Sequence, residues 1–224
     1  MNVREYLSVR RAFGLVRQGM PAEERITFEE LGIVCHLGNL GRPLRTSEIA
    51  EYQDVLRPTM THRSGHLSAL GLISREAGEA DRRSVCCALT AEGERRMEAL
   101  LAQMCASIKP GMPLSRCTPA RMGLIVDEFG RASFSSADLV LLGLYACESE
   151  SGSSVGTLVA ALGLLQPTVS MAVSTLTKQG LVERVQEGAE VARAALVALT
   201  PKGEKRAEGL VERVESFHVR RTKG

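Results

Sequence analysis

A chain of 224 residues is long enough for one large domain or two small ones. Hydrophobic content of 44% beside 24% charged residues suits a folded globular protein, and 8 prolines without a low-complexity tract argue against extended disorder. A formal net charge of +2 is too small to argue for nucleic acid by itself, so any basic surface has to come from local arrangement.

The chain opens with MNVREYLSVRRAFGLVRQ, which is basic and lacks an apolar run of signal-peptide length. No stretch approaches the length of a membrane span, so no membrane partner is expected and the chain is expected to be cytoplasmic. A first helix is predicted from Val3 to Gln18. The next starts after Thr27, with Glu30 placed to complete a capping box, in which hydroxyl and carboxylate satisfy free amides at the helix start. A short helix from Ser47 to Tyr52 precedes a third from about Arg57 to Leu70. Pro58 lies in its first turn, where a missing N–H costs nothing, and Gly71 suits its C-terminal cap.

The apolar period then changes to two. Leu72-Ile73-Ser74-Arg75 begins one strand, and Arg83 to Leu89 forms another, with the polar tip EAGEAD between them. Thr90 can cap a closing helix from Ala91 to Ser107. Lys109 to Pro119 reads KPGMPLSRCTP, a linker by composition. It divides the chain into 1–108, a linker at 109–118, and 119–224.

The second part repeats the first. Pro58-Thr59 matches Pro167-Thr168, Leu67 matches Leu176, and Gly71-Leu72 matches Gly180-Leu181, all at one constant offset. After one extra residue, Leu89-Thr90 and Gly93-Glu94 match Leu199-Thr200 and Gly203-Glu204. The predicted elements recur in order. They are helices from Pro119 to about Arg131, from Ser135 with Asp138 as a second capping box, from Val155 to Ala161, and from Gln166 to Gln179. Strands from Leu181 to Val185 and from Ala194 to Leu199 follow, then a helix from Pro201 to about Val219. The fold expected is mainly α with small β wings: two tandem winged helix-turn-helix domains around a shared helical bundle, related by a pseudo-two-fold. That bundle would comprise the opening and closing helices of both copies.

Helix, short helix, turn, helix and hairpin is a unit that can hold DNA. A helix fits the major groove with its N-terminal side chains at base edges, and a hairpin tip can follow the backbone. In the first copy the third helix starts Arg57, Pro58, Thr59, Met60, Thr61, His62, Arg63. Arg57, Thr59, Thr61, His62 and Arg63 are candidate DNA contacts, and Met60, Ser64 and Leu67 read as its buried face. Arg75, Arg82 and Arg83 supply a second basic line along the hairpin. A solvated helix face with ordinary arginines is the competing reading.

The six cysteines, Cys35, Cys86, Cys87, Cys105, Cys117 and Cys147, form no CxxC, and no histidine stands at a zinc-finger spacing from them. They read as buried free thiols, with a thiol sensor as the alternative. Cys86 and Cys87 should face opposite sides of their strand. No metal or cofactor is expected. No G-x-S-x-G, P-loop or H-E-x-x-H occurs, so an enzyme is not expected.

The order of motifs resembles the MarR family of bacterial transcription regulators. The family pattern Asp-x-Arg followed by Leu-Thr-x-x-Gly is similar to Asp81-Arg82-Arg83 and Leu89-Thr90-Ala91-Glu92-Gly93, and Leu70-Gly71-Leu72-Ile73 resembles the preceding helix end. The resemblance implies a bacterial, sequence-specific regulator of double-stranded DNA, more often a repressor. It also implies a small aromatic or lipophilic effector and a structuring role for Asp81 in the wing. Family members are usually homodimers. Two copies in one chain imply an internal pseudo-dimer that is monomeric in solution, with association made intramolecular.

The copies have diverged. Ser135 to Thr177 contains no Lys, Arg or His; Arg57, His62 and Arg63 are matched by Gln166, Met171 and Ala172. Val191 replaces Asp81, whereas Arg193 stands at the place of Arg83. Gln166, Thr168, Ser170 and Arg193 are the candidate contacts of the second copy, which should bind phosphates more weakly and either reads a different half-site or mainly stabilises the fused core without touching DNA. A protein-interaction scaffold that keeps the fold without strong DNA binding is the alternative function. The basic tail His218, Arg220, Arg221 and Lys223 reads as a frayed end or a further DNA contact.

Overall fold

A computed structural model describes residues 1–77, 85–147, 152–185 and 196–219. Its elements are mostly helical. They are α1 (Val3–Gln18), a 3-10 turn (Ala22–Glu24), α2 (Phe28–Leu40), β1 (Leu44–Arg45), α3 (Thr46–Tyr52), α4 (Arg57–Ala69), β2 (Ile73–Ala77), β3 (Val85–Leu89) and α5 (Ala91–Ser107). After these come α6 (Pro119–Phe129), α7 (Ser136–Ala146), α8 (Val155–Leu162), α9 (Gln166–Lys178), β4 (Val182–Val185), β5 (Leu196–Leu199) and α10 (Pro201–Glu215).

The chain folds into two compact units that do not follow sequence order. One holds Met1–Leu15 and Phe134–His218, and the other holds Val16–Ser133 together with Val219. Most of α1 therefore belongs with elements made long after it, and α6 belongs with elements made before it. The boundaries 1–108, 109–118 and 119–224 mark the sequence repeat, and the compact units cut across them.

In the Val16–Ser133 unit, α2 is apolar on nearly every side and buried from Phe28 to Cys35 and at Leu37. Each of its large aliphatic side chains stabilises the unit by roughly 1.5–3 kcal/mol. Thr27 Oγ1 accepts from Glu30 N, and Glu30 Oε2 accepts from Thr27 N at 2.7 Å, so the capping box is complete. α2 crosses the end of α6 at a pair of glycines: a Cβ on Gly32 would lie 2.7 Å from the Gly130 Cα. The three strands run β1-β3-β2, all antiparallel, with Leu44 opposite Cys87 and Ile73 opposite Leu89. Cys87 is buried and its neighbour Cys86 only half-buried, as alternation along a strand requires.

In the other unit, α7 is the buried helix, covered from Leu139 to Leu144 and capped by Ser135 and Asp138. The Tyr6 ring lies 5.2 Å from that of Phe134, and the Arg213 guanidinium sits 4.7 Å over Phe134. Arg11 Nε donates to the Ala160 carbonyl at 2.8 Å, which ties α1 to α8. β4 and β5 form a two-stranded sheet, and Ser153 bridges to Val197 on β5.

Several boundaries differ from the sequence reading. β1 was not foreseen, because two residues carry no period and only pairing with β3 defines them. β2 continues through Glu76 and Ala77, which the sequence reading assigned to the hairpin tip, because Ala77 pairs with Val85. α6 stops at Phe129 and α10 at Glu215, not Val219; beyond Ser216 the chain instead buries Phe217. The remaining tip residues, 78–84 and 186–195, and tail residues 220–224 lie outside the described residues.

The closing helices start alike. Thr90 Oγ1 accepts from Gly93 N and donates to the Gly71 carbonyl at 2.6 Å; Thr200 does the same with Gly203 N and the Gly180 carbonyl at 2.8 Å. A Cβ on Gly93 would come 2.0 Å from the Leu72 carbonyl oxygen, and one on Gly203 would come 1.9 Å from that of Leu181. Gly93→Ala and Gly203→Ala should each destabilise by about 2–3 kcal/mol, since backbone cannot give way cheaply. Denaturant melts check this, and a loss below about 0.5 kcal/mol at either site would contradict the close approach.

Candidate nucleic-acid interface

Helix α4 divides cleanly into two faces. Met60, Ser64 and Leu67 are buried, as the sequence pattern required. Arg57, Thr59, Thr61 and His62 are exposed, all within the first turns of the helix. The N-cap residue, Leu56, supplies no side-chain cap and is itself 79% exposed, so the helix start faces solvent. A helix start with free amides and cationic neighbours favours an anionic partner.

Arg63 differs from the others. It is half-buried, and its Nη1 donates to Gln53 Oε1 at 2.6 Å, so one corner of the guanidinium is committed inside the protein. Arg75 is exposed on β2. Its Nη1 lies beside α4, 3.6 Å from where a Cβ on Gly65 would stand. The sequence placed Arg75 with Arg82 and Arg83, and the structure brings it to α4. Asp81, Arg82 and Arg83 lie outside the described residues.

The helix is held from behind by polar as well as apolar contacts. His66 Nδ1 meets Glu30 Oε1 at 2.7 Å, and Glu30 is only 3% exposed. One buried carboxylate therefore serves both the capping box of α2 and the last turn of α4, which satisfies both of its oxygens.

In α9 the buried face is Val169, Ala172, Val173 and Leu176. Gln166 and Ser170 are exposed and Thr168 is half-buried. Ala172 stands where α4 has Arg63 and is 5% exposed, whereas Met171 stands where α4 has His62 and is 71% exposed. The outer face of α9 is thus neutral and partly apolar over its first turns, with Lys178 exposed only in the last turn. Arg193 lies outside the described residues. The sequence reading passed over Arg184, which is exposed on β4 and takes the place of Arg75 at the same constant offset. It also passed over Gln53, whose partners are distant in sequence.

The described thiols are free and unequally placed. Burial, and next the charge of Asp127, push the Cys35 thiol far up. Burial raises Cys87 as well, partly offset by the Thr46 hydroxyl and Arg75. Cys117 is pushed up to about 11, first by burial and then by neighbouring Cys105, whose own thiol is raised by burial. No group of three or more His, Cys, Asp or Glu among the described residues could hold a metal ion. No single helix among them is long and apolar enough to cross a membrane.

Residues 141–194, which span most of α7, all of α8, α9 and β4, match the MarR family. Part of this chain has a MarR-family winged helix-turn-helix fold. The match falls in the second half, although the sequence reading found the more specific resemblance at Asp81 to Gly93. Leu158, Leu162, Val169, Val173 and Leu176 are buried beneath this helix-turn-helix.

Two solved structures are similar over part of the chain. The YusO protein from Bacillus subtilis is 28% identical, covering 45% of this chain and 67% of its own, with a TM-score of 0.37. BpsR from Bordetella bronchiseptica, whose DNA binding is regulated by 6-hydroxynicotinic acid, is 22% identical, covering 49% and 79%, also with a TM-score of 0.37. At such TM-scores the MarR assignment rests on the family match. No curated protein is similar to the chain. MarR-family proteins are regulators without a catalytic site.

Raised thiols hold little nucleophilic thiolate at neutral pH. Native-state alkylation near pH 7 should therefore label Cys35 last and far more slowly than in the unfolded chain, as read by peptide mass spectrometry. Cys35 labelling as fast as that of Cys86 would mean that the core around α2 opens readily.

Proposed function

We propose that this chain is a MarR-type transcription regulator that binds double-stranded DNA, more specifically a repressor acting as an internal pseudo-dimer. The sequence repeat, with its boundaries 1–108, 109–118 and 119–224, supports two winged helices in one chain. The observation that carries the reading is the exposed start of α4, where Arg57, Thr59, Thr61 and His62 face outward over a buried row of Met60, Ser64 and Leu67. Arginine and histidine at such a helix start suit phosphates and guanine edges, and threonines suit either bases or phosphates. Arg75 beside α4 extends the basic line, and Arg82 and Arg83 continue it in sequence.

The second winged helix contributes less affinity in this reading. Gln166, Thr168 and Ser170 can touch bases or phosphates, but the first turns of α9 lack the cations that release counterions on binding. The operator is then asymmetric, with one half-site read mainly through phosphates and bases and the other through neutral contacts. A second reading, in which α9 docks a protein, is favoured by Leu165 and Met171, which are 52% and 71% exposed. An effector of small aromatic or lipophilic character remains a proposal drawn from the family.

Selection from a random duplex library, with solution mass measured alongside, tests the reading. An asymmetric site bound by a monomer is the expected result. Arg57→Ala combined with Arg63→Ala should weaken that complex by about 10- to 100-fold and reduce the salt slope by about 2, whereas Gln166→Ala with Ser170→Ala should weaken it less and leave the slope unchanged. A folded chain that enriches no duplex would overturn DNA binding in favour of the protein-docking reading.

A further inference from the structure

The last carbonyls of a helix have no donor within the helix. At the end of α6 two of them are met by side chains from the end of α3. The Tyr52 hydroxyl donates to the Asp127 carbonyl, and Gln53 Nε2 donates to the Gly130 carbonyl at 2.9 Å. Burial, and next the Asp127 carboxylate, raise the Tyr52 phenol far above its usual value, so it stays a donor. The Gln53 amide nitrogen also donates to the Glu29 carbonyl at 2.7 Å, at the start of α2. Both N–H bonds of that amide are then spent, and its oxygen accepts from Arg63 Nη1 at 2.6 Å. Gln53 is 3% exposed, and the two bonds its amide donates are buried, while the one it accepts from Arg63 is partly buried.

We propose that Gln53 is a positioning residue for DNA binding: it joins the end of α6 and the start of α2 to Arg63, and thereby fixes the DNA-facing side of α4. The proposal rests on the DNA-binding reading above and adds how that site is set. A free arginine on a helix samples many rotamers and loses them on meeting a phosphate; one held beforehand loses fewer. With one guanidinium corner on Gln53, the rest of the fork remains for a partner. The backbone supports the same role. Asp54, next in the chain, has φ 50, a conformation that side chains other than glycine rarely adopt, and it opens the turn into α4. Gln53, anchored at three points, holds that turn in place. The coupling also gives α6 a route to the interface. A displacement of α6 that withdraws the Gly130 carbonyl would release the Gln53 amide and, with it, Arg63.

The test is a double-mutant cycle on the full chain, read as affinity for the duplex recovered by selection. Gln53→Met keeps volume and removes every polar contact. It should weaken binding about tenfold alone, and by less than about twofold when Arg63 is already Met. It should leave the salt slope close to that of wild type, because Arg63 keeps its charge, whereas Arg63→Met lowers the slope by about 1. Gln53→Asn keeps a neutral amide but is one methylene too short to reach all three partners. It should lower the melting temperature and weaken binding nearly as far as the Met variant, again by less than about twofold when Arg63 is already Met, and it carries the comparison if the Met variant does not fold. Equal losses in both Arg63 backgrounds for these variants overturn the positioning role and leave DNA binding standing. A wild-type chain that enriches no duplex overturns the DNA-binding reading and this role together.

Discussion

A helix that ends inside a protein must hand its last carbonyls to donors from elsewhere, and the end of α6 imposes that demand on everything around it. The Asp127 residue alone engages three side chains. His36 Nδ1 lies 2.9 Å from its carboxylate, Asn39 Nδ2 donates to it at 2.8 Å, and Tyr52 donates to its carbonyl. The His36 and Tyr52 rings stack with centroids 3.8 Å apart. Beyond them Gln53 takes the Gly130 carbonyl, and the Gly32–Gly130 crossing brings α2 close enough for one amide to reach both helices. An unmet buried polar group costs about 1–3 kcal/mol, so few side chains can replace Tyr52 or Gln53 here. The relative places of α2, α3 and α6 follow from polar matching as much as from apolar burial.

That matching has a consequence for chemistry at the surface. The inner side of α4 is fixed by Met60, Ser64 and Leu67, by His66 on Glu30, and by Arg63 on Gln53. Its outer side is therefore presented in one orientation. α9 has a comparable apolar underside, but alanine stands where α4 has its anchoring arginine. The two helices share a scaffold and differ in what they offer a polyanion.

Most of the local architecture was legible in the sequence, because its causes are local. Thr27 with Glu30, Ser135 with Asp138, Thr90 before Gly93 and the prolines after Leu56 and Leu165 each fix a helix start within a few residues. The buried row of α4 followed from helical spacing. What escaped was set by partners far along the chain. β1 exists because Leu44 meets Cys87, and Gln53 matters because Glu29, Gly130 and Arg63 converge on it. An isolated glutamine at a helix end carries no signal of that kind. Arg184 was within reach of the sequence, since the offset that aligned Gly71 with Gly180 also aligns Arg75 with it.

The interleaving of the two compact units bears on how the chain is made. Apart from Val219 near the end of the sequence, the Val16–Ser133 unit is continuous, so nearly all of it exists once α6 and the residues to Ser133 have been synthesised. The other unit draws on Met1–Leu15 and on Phe134–His218, so its first helix waits for nearly the whole chain before its partners exist. During that interval Tyr6, Val9, Ala12 and Phe13, all buried in the finished protein, have nothing of their own unit to cover them. Vectorial synthesis therefore gives the two units different folding histories: one matures early from near neighbours, and the other closes late over a long loop with the apolar face of α1 uncovered until then.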